Sequence, residues 1–98
     1  MIPLYVQDGY IVCFEALPED TDFDTYWLGV CGYTEEEIAG IQGYAWFTAK
    51  VSMWRDGVEL AADYLGACCY KTEAEFYTLY RDDYFRDMVN TCLQEVQP

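Results

Sequence analysis

The sequence predicts an α+β fold, and three observations carry that prediction. Hydrophobicity alternates with a period of two from residue 44 to about residue 70, Asp56-Gly57 interrupts that run, and the C-terminal segment returns to helical spacing. Together they describe a small antiparallel sheet with a long β-hairpin at about 44–70, short helices after the first strand, and a C-terminal helix packed on one face. No internal repeat or Gly, Ser or Pro-rich linker divides the 98 residues, so 1–98 is expected to be one domain.

Each element follows from local chemistry. Tyr10 to Leu17 (YIVCFEAL) is rich in β-branched and aromatic residues, follows Asp8-Gly9 and stops at Pro18, which defines a strand. Pro3 to Gln7 is suited to be its hairpin partner. Asp22 to Val30 places Phe23, Trp27 and Val30 at i, i+4 and i+7, with Asp22 or Thr21 able to cap, and predicts a short helix. Thr34 and Glu37 have capping-box spacing and open a second short helix ending near Gly40 or Gly43.

From Tyr44, one face carries Trp46, Thr48, Lys50, Ser52 and Trp54, and the other Phe47, Ala49, Val51 and Met53. Asp56-Gly57 is a favoured hairpin turn, and Val58, Leu60, Ala62 and Tyr64 continue the alternation. The Glu, Leu and Ala content after residue 58 also suits a helix, but the turn and the Tyr64 to Tyr70 stretch favour a strand. Thr72 and Glu75 repeat the capping-box spacing. Phe76, Tyr80, Phe85, Met88, Val89, Cys92, Leu93 and Val96 then follow a helix whose phase slips around Arg81 to Asp83, the place for a kink or break.

Composition narrows the function. The chain has 18 Asp and Glu, five Lys and Arg and no histidine, a net charge of −13, while 53% of its residues are hydrophobic and so argue against disorder. Residues 1–49 hold nine acids and no base; residues 50–98 hold nine acids and all five bases. Such a field repels nucleic acid and anionic membrane and attracts basic protein surfaces. The N-terminus lacks the basic and apolar regions of a secretory signal, and the longest uncharged stretch, Ile38 to Ala49, is too short to span a bilayer. A cytoplasmic location follows as the expectation.

Without histidine, the commonest general base and every Ser-His or Cys-His arrangement are gone, and neither glycine-rich phosphate motif is present, so the chain is expected not to be an enzyme. Cys13, Cys31, Cys68, Cys69 and Cys92 make an odd number with no C-x-x-C, which points to reduced, packed thiols rather than disulfides or zinc. Asp20, Asp22 and Asp24 open like a calcium loop, but Thr25 stands where that loop needs Gly and Cys31 where it needs Glu. No cofactor is expected.

The remaining candidates form a binding face. Glu19, Asp20, Asp22 and Asp24, followed by Glu35, Glu36 and Glu37, give seven carboxylates with no base nearby in sequence. Helix capping accounts for some of them but not for all. Tyr26, Trp27 and Tyr33 lie between the two runs, and Tyr and Trp dominate interface hot spots, although Trp27 suits the core equally well. Asp82, Asp83 and Asp87 form a third cluster. Asp82 pairs with Arg86 at i, i+4, whereas Asp83 and Asp87 repel each other and are kept as candidates for the same face.

In size, acidity and cytosolic character, the chain resembles the small acidic anti-defence proteins of phages and mobile elements, the DNA-mimic anti-restriction and anti-CRISPR type. The resemblance is one of composition over the whole chain and transfers no motif. It implies a non-enzymatic inhibitor that offers carboxylates where phosphates would sit on a basic nucleic-acid-binding protein or complex. The alternatives are an immunity protein or antitoxin that neutralises a basic toxin or nuclease, and an acidic housekeeping interaction domain. Oligomeric state is left open by the sequence.

Overall fold

Two tight turns organise the sheet. Asp8-Gly9 and Asp56-Gly57 all take positive φ (52° and 84°, 53° and 74°), the type I′ geometry that matches strand twist and that glycine adopts without a Cβ penalty. They join β1 (Ile2–Gln7) to β2 (Tyr10–Leu17) and β3 (Ala45–Arg55) to β4 (Val58–Tyr70). The sheet is antiparallel in the order β1-β2-β3-β4, with residues 18–44 inserted between β2 and β3. The computed structural model describes residues 1–78 and 83–97.

Strand alternation sends Val12, Phe14, Phe47, Ala49, Val51 and Met53 to one face, where Phe76, Phe85, Met88, Val89, Cys92 and Leu93 cover them. All twelve are buried. Phe14 touches the rings of Phe47, Phe76 and Tyr77, with centroids 6.1, 5.7 and 4.9 Å away. The fold is therefore the expected α+β class.

The predicted C-terminal helix is two elements, α2 (Glu75–Thr78) and α3 (Tyr84–Val96). Asp83, at the phase slip, takes φ 57° and so cannot continue a right-handed helix. Thr72 contributes its carbonyl rather than its hydroxyl to the first turn, accepting from the Glu75 N–H at 3.2 Å. Tyr80, Arg81 and Asp82, and with them the Asp82–Arg86 spacing, lie outside the described residues.

The insertion is the second departure. The predicted helix at 22–30 is wound as a π-helix over Thr25–Val30, and Val30, placed on its apolar stripe by spacing, is 72% exposed. The wider turn moves Val30 off the face that holds Phe23 and Trp27, because the stripe of an α-helix needs 3.6 residues per turn. The predicted second helix, α1 (Glu35–Ala39), forms as expected: Thr34 Oγ1 accepts from the Glu37 N–H, Glu37 Oε1 accepts from the Thr34 N–H, and Gly40 is the C-cap.

Candidate functional site

The inserted segment is fastened by one side chain from each direction. Trp46, on the sheet face opposite α3, donates Nε1 to the Thr21 carbonyl at 2.9 Å and stacks against Phe23, Tyr26 and Trp27. Glu19 reaches back to β4. There Gly66 and Ala67 oppose the single residue Thr48, forming a β-bulge in which Ala67 takes φ 55°. Glu19 Oε1 accepts from the Ala67 N–H and from Thr48 Oγ1 (3.1 Å), and its Oε2 accepts from the Thr21 N–H at 3.0 Å. The Ala67 and Thr21 backbone donors, followed by the Thr48 hydroxyl, hold the Glu19 carboxyl below its ordinary pKa. A Cβ added to Gly66 would lie 3.1 Å from Glu19 Oε1, so the bulge leaves little room beyond glycine.

Glu19 is thus an internal acceptor rather than a free surface acid. Two more of the seven carboxylates are engaged locally. Asp22 Oδ2 accepts from the Thr25 N–H and from Thr25 Oγ1, both at 3.1 Å, and Glu37 closes the capping box. Asp20, Asp24, Glu35 and Glu36 are exposed. Asp24 and Glu35 line the same groove of about 250 Å³, with Leu28, Ile38, Ala39 and Gln42 between them. The fold thereby brings one carboxylate of each acidic run into a single groove.

The aromatic candidates separate. Tyr33 is exposed and lies 4.6 Å from Trp27, while Tyr26 is half-buried in the cluster with Trp27 and Trp46. A hydrogen bond to Cys31, together with the negative charge that thiol can carry, pushes the Tyr26 hydroxyl above its ordinary pKa. Trp27 Nε1 is buried and has no hydrogen-bond partner among the described residues. Tyr26 and Trp27 also line a cleft of about 280 Å³ with Cys69 and Tyr84, which brings the start of α3 beside the π-helix.

Asp83 adjoins that cleft in sequence but lies 3.8 Å from Arg86 on its own helix. Asp87 is exposed on the first turn of α3, where its carbonyl accepts from Thr91 Oγ1. Neither lines the groove between Asp24 and Glu35.

Four of the five thiols are packed as expected, whereas Cys31, beyond the π-helix, is exposed. Burial pushes Cys68 and Cys92 up to about 11, and raises Cys13 and Cys69 as well. Among the described residues, no cluster of acids and cysteines is arranged to hold a metal ion, and no helix is long and apolar enough to cross a membrane.

Sequence reasoning missed two features. The floor of the acidic groove, Leu28, Ile38 and Ala39, gave no signal because it joins two short helices. The structural use of Glu19 gave none because its partners lie 29 and 48 residues away. Comparison with protein families, with curated proteins and with solved structures finds no match to this chain.

Proposed function

We propose that the acidic end is a binding face for a basic protein, and that it inhibits a nucleic-acid-binding protein or complex by occupying the site that takes phosphates. The observation that carries this reading is that Asp20, Asp24, Glu35 and Glu36 are exposed without a local backbone role, Asp24 and Glu35 lining one groove, while Glu19, Asp22 and Glu37 accept from nearby backbone N–H groups. The start of α1 favours Glu35 and Glu36, but local stability leaves Asp20 and Asp24 unexplained, and mutual repulsion disfavours the group as a whole. A partner that binds nucleic acid carries the Lys and Arg array that such a face neutralises. The exposed Tyr33 ring beside them supplies a flat contact for a guanidinium or an apolar side chain.

The test is affinity capture from a bacterial lysate at low and then moderate salt, with the quadruple variant Asp20→Asn, Asp24→Asn, Glu35→Gln, Glu36→Gln run in parallel. The expected result is retention of a basic nucleic-acid-binding protein by the wild type only, released by salt and displaced by duplex DNA. Retention of a nuclease-type toxin would instead assign the same face to immunity. Capture of nothing basic, or equal capture by the variant, would overturn the reading.

A further inference from the structure

On the sheet face opposite α3, another element packs only at one end; in the middle row Cys13 and Ser52 are buried, with Trp54 Nε1 donating to Ser52 Oγ at 2.9 Å, and the outer rows form the surface. The π-helix segment reaches it through Trp46, near the start of β3, and the rest of β3 and its neighbours extend beyond it. By register and alternation, Val6, Ile11 and Trp54 form one row across this part, and Tyr64 lies opposite Lys50 in another. Val6 is 67% exposed, Ile11 41% and Tyr64 56%. In an antiparallel sheet with one solvated face, those positions are ordinarily polar.

We infer that this face is the dimer interface of the protein, its occupant being a second copy packed face to face in antiparallel orientation. Charge selects the occupant. The face carries two acids and one base, Glu15, Glu59 and Lys50, in a chain whose net charge is −13. Lys50 lies 2.9 Å from Glu59 and opposite Glu15, so the face is nearly neutral and presents both signs, as a self-complementary two-fold contact requires. A basic partner is drawn to the far end of the molecule instead.

Shape selects the orientation. The π-helix segment packed on Trp46 stands as a step at one end of the face, against which a second sheet can abut at the usual spacing of about 10 Å. Parallel stacking would set step against step. Antiparallel stacking of a molecule 47 Å long sends the two acidic ends in opposite directions, beyond the screening length of about 8 Å at physiological salt.

Four strands at about 4.8 Å spacing, over the roughly 20–25 Å of β3 from Thr48 to Arg55, outline a footprint of about 400–500 Å² per copy. Two copies approach the lower limit of about 1,000 Å² for a specific interface, so the dimer is weak and reversible.

Sedimentation equilibrium from about 10 μM to about 1 mM tests this, a range suited to weak association. The wild type is expected to form a reversible dimer that strengthens as salt screens the net charge, the opposite of the salt response of a basic partner. Ile11→Glu combined with Tyr64→Glu should weaken it by at least about tenfold. Val6→Glu, at the most exposed of these positions, is the second variant, and circular dichroism verifies that each is folded. Val30→Glu, on the acidic end, should leave the dimer unchanged. A wild type monomeric at every concentration, with the face then left to another protein, would overturn the inference. So would a dimer untouched by the folded face variants, or one abolished by Val30→Glu.

Discussion

The acidic end, residues 18–44, and the sheet body it rides on use charge in different ways. In the body, Lys50 meets Glu59, and Arg55 lies 4.0 Å over the Tyr10 ring while donating to the Asp8 carbonyl. The acidic end has no base, and its carboxylates pair with backbone N–H groups and hydroxyls or face solvent. Its apolar support is also thin: Ile38 is the only buried residue in 18–44, whereas the sheet and α3 share a continuous core. The body is held by a continuous apolar core, and the acidic end by a few polar fasteners and a half-buried aromatic cluster of Phe23, Tyr26 and Trp27 on Trp46. Sequence position therefore does not reveal what a carboxylate does; its partners do.

Five experiments test that contrast. The largest effect belongs to the body. Phe14→Ala removes a ring that is 1% exposed and touches three other aromatics, and should cost about 3–5 kcal/mol in urea unfolding. A loss below about 1 kcal/mol would mean that the core is not where the body gets its stability.

Glu19→Ala should come next, at about 1–3 kcal/mol, because it leaves the Ala67 and Thr21 N–H groups without their acceptor. Asp20→Ala, one residue along, should stay within about 0.5 kcal/mol. Equal losses at the two positions would erase the distinction between fastener and free acid. The same carboxyl sets a pH dependence. Its folded pKa is depressed, so its contribution is complete above the ordinary carboxylate value of about 4.3 and disappears as pH falls through the lower folded value. The stability gap between wild type and Glu19→Gln should therefore be constant from neutral pH down to about 5 and narrow below it. A gap that widens in acid would contradict the assignment.

Thr34→Ala opens the capping box and should cost about 1 kcal/mol. Hydrogen exchange of the residue 35–39 amides should detect it more strongly than global unfolding, because beyond the box α1 is anchored by a single buried side chain, Ile38. The smallest stability effect is expected from the quadruple amide variant of Asp20, Asp24, Glu35 and Glu36, within about 0.5 kcal/mol or slightly stabilising. Its effect belongs in association rate and salt dependence.

Much of this was legible because it is local. Tyr10–Leu17 and the Asp56-Gly57 hairpin could be read from alternation and turn chemistry, and the Thr34–Glu37 box from spacing alone. Thr72 and Glu75 show the limit of that method, since the same spacing there produces a turn closed through the Thr72 carbonyl. The acidic end was legible as a run of charge but not as a division of labour. The spacing of Phe23, Trp27 and Val30 suited an α-helix, whereas contacts with Trp46 accompany a wider turn.

By itself, then, the sequence determined the class of fold, the strand limits and turns, and the concentration of uncompensated charge in the first half of the chain. These depend on side-chain period, on backbone preference at Asp-Gly and on composition, all of which act over a few residues. Tertiary pairing settles that Glu19 belongs to a bulge on β4, that Asp24 and Glu35 share one groove, and that Val6, Ile11 and Tyr64 are exposed on one face of the sheet. Those facts arise from pairing across dozens of residues, where strand register and close packing, rather than local preference, bring the groups together.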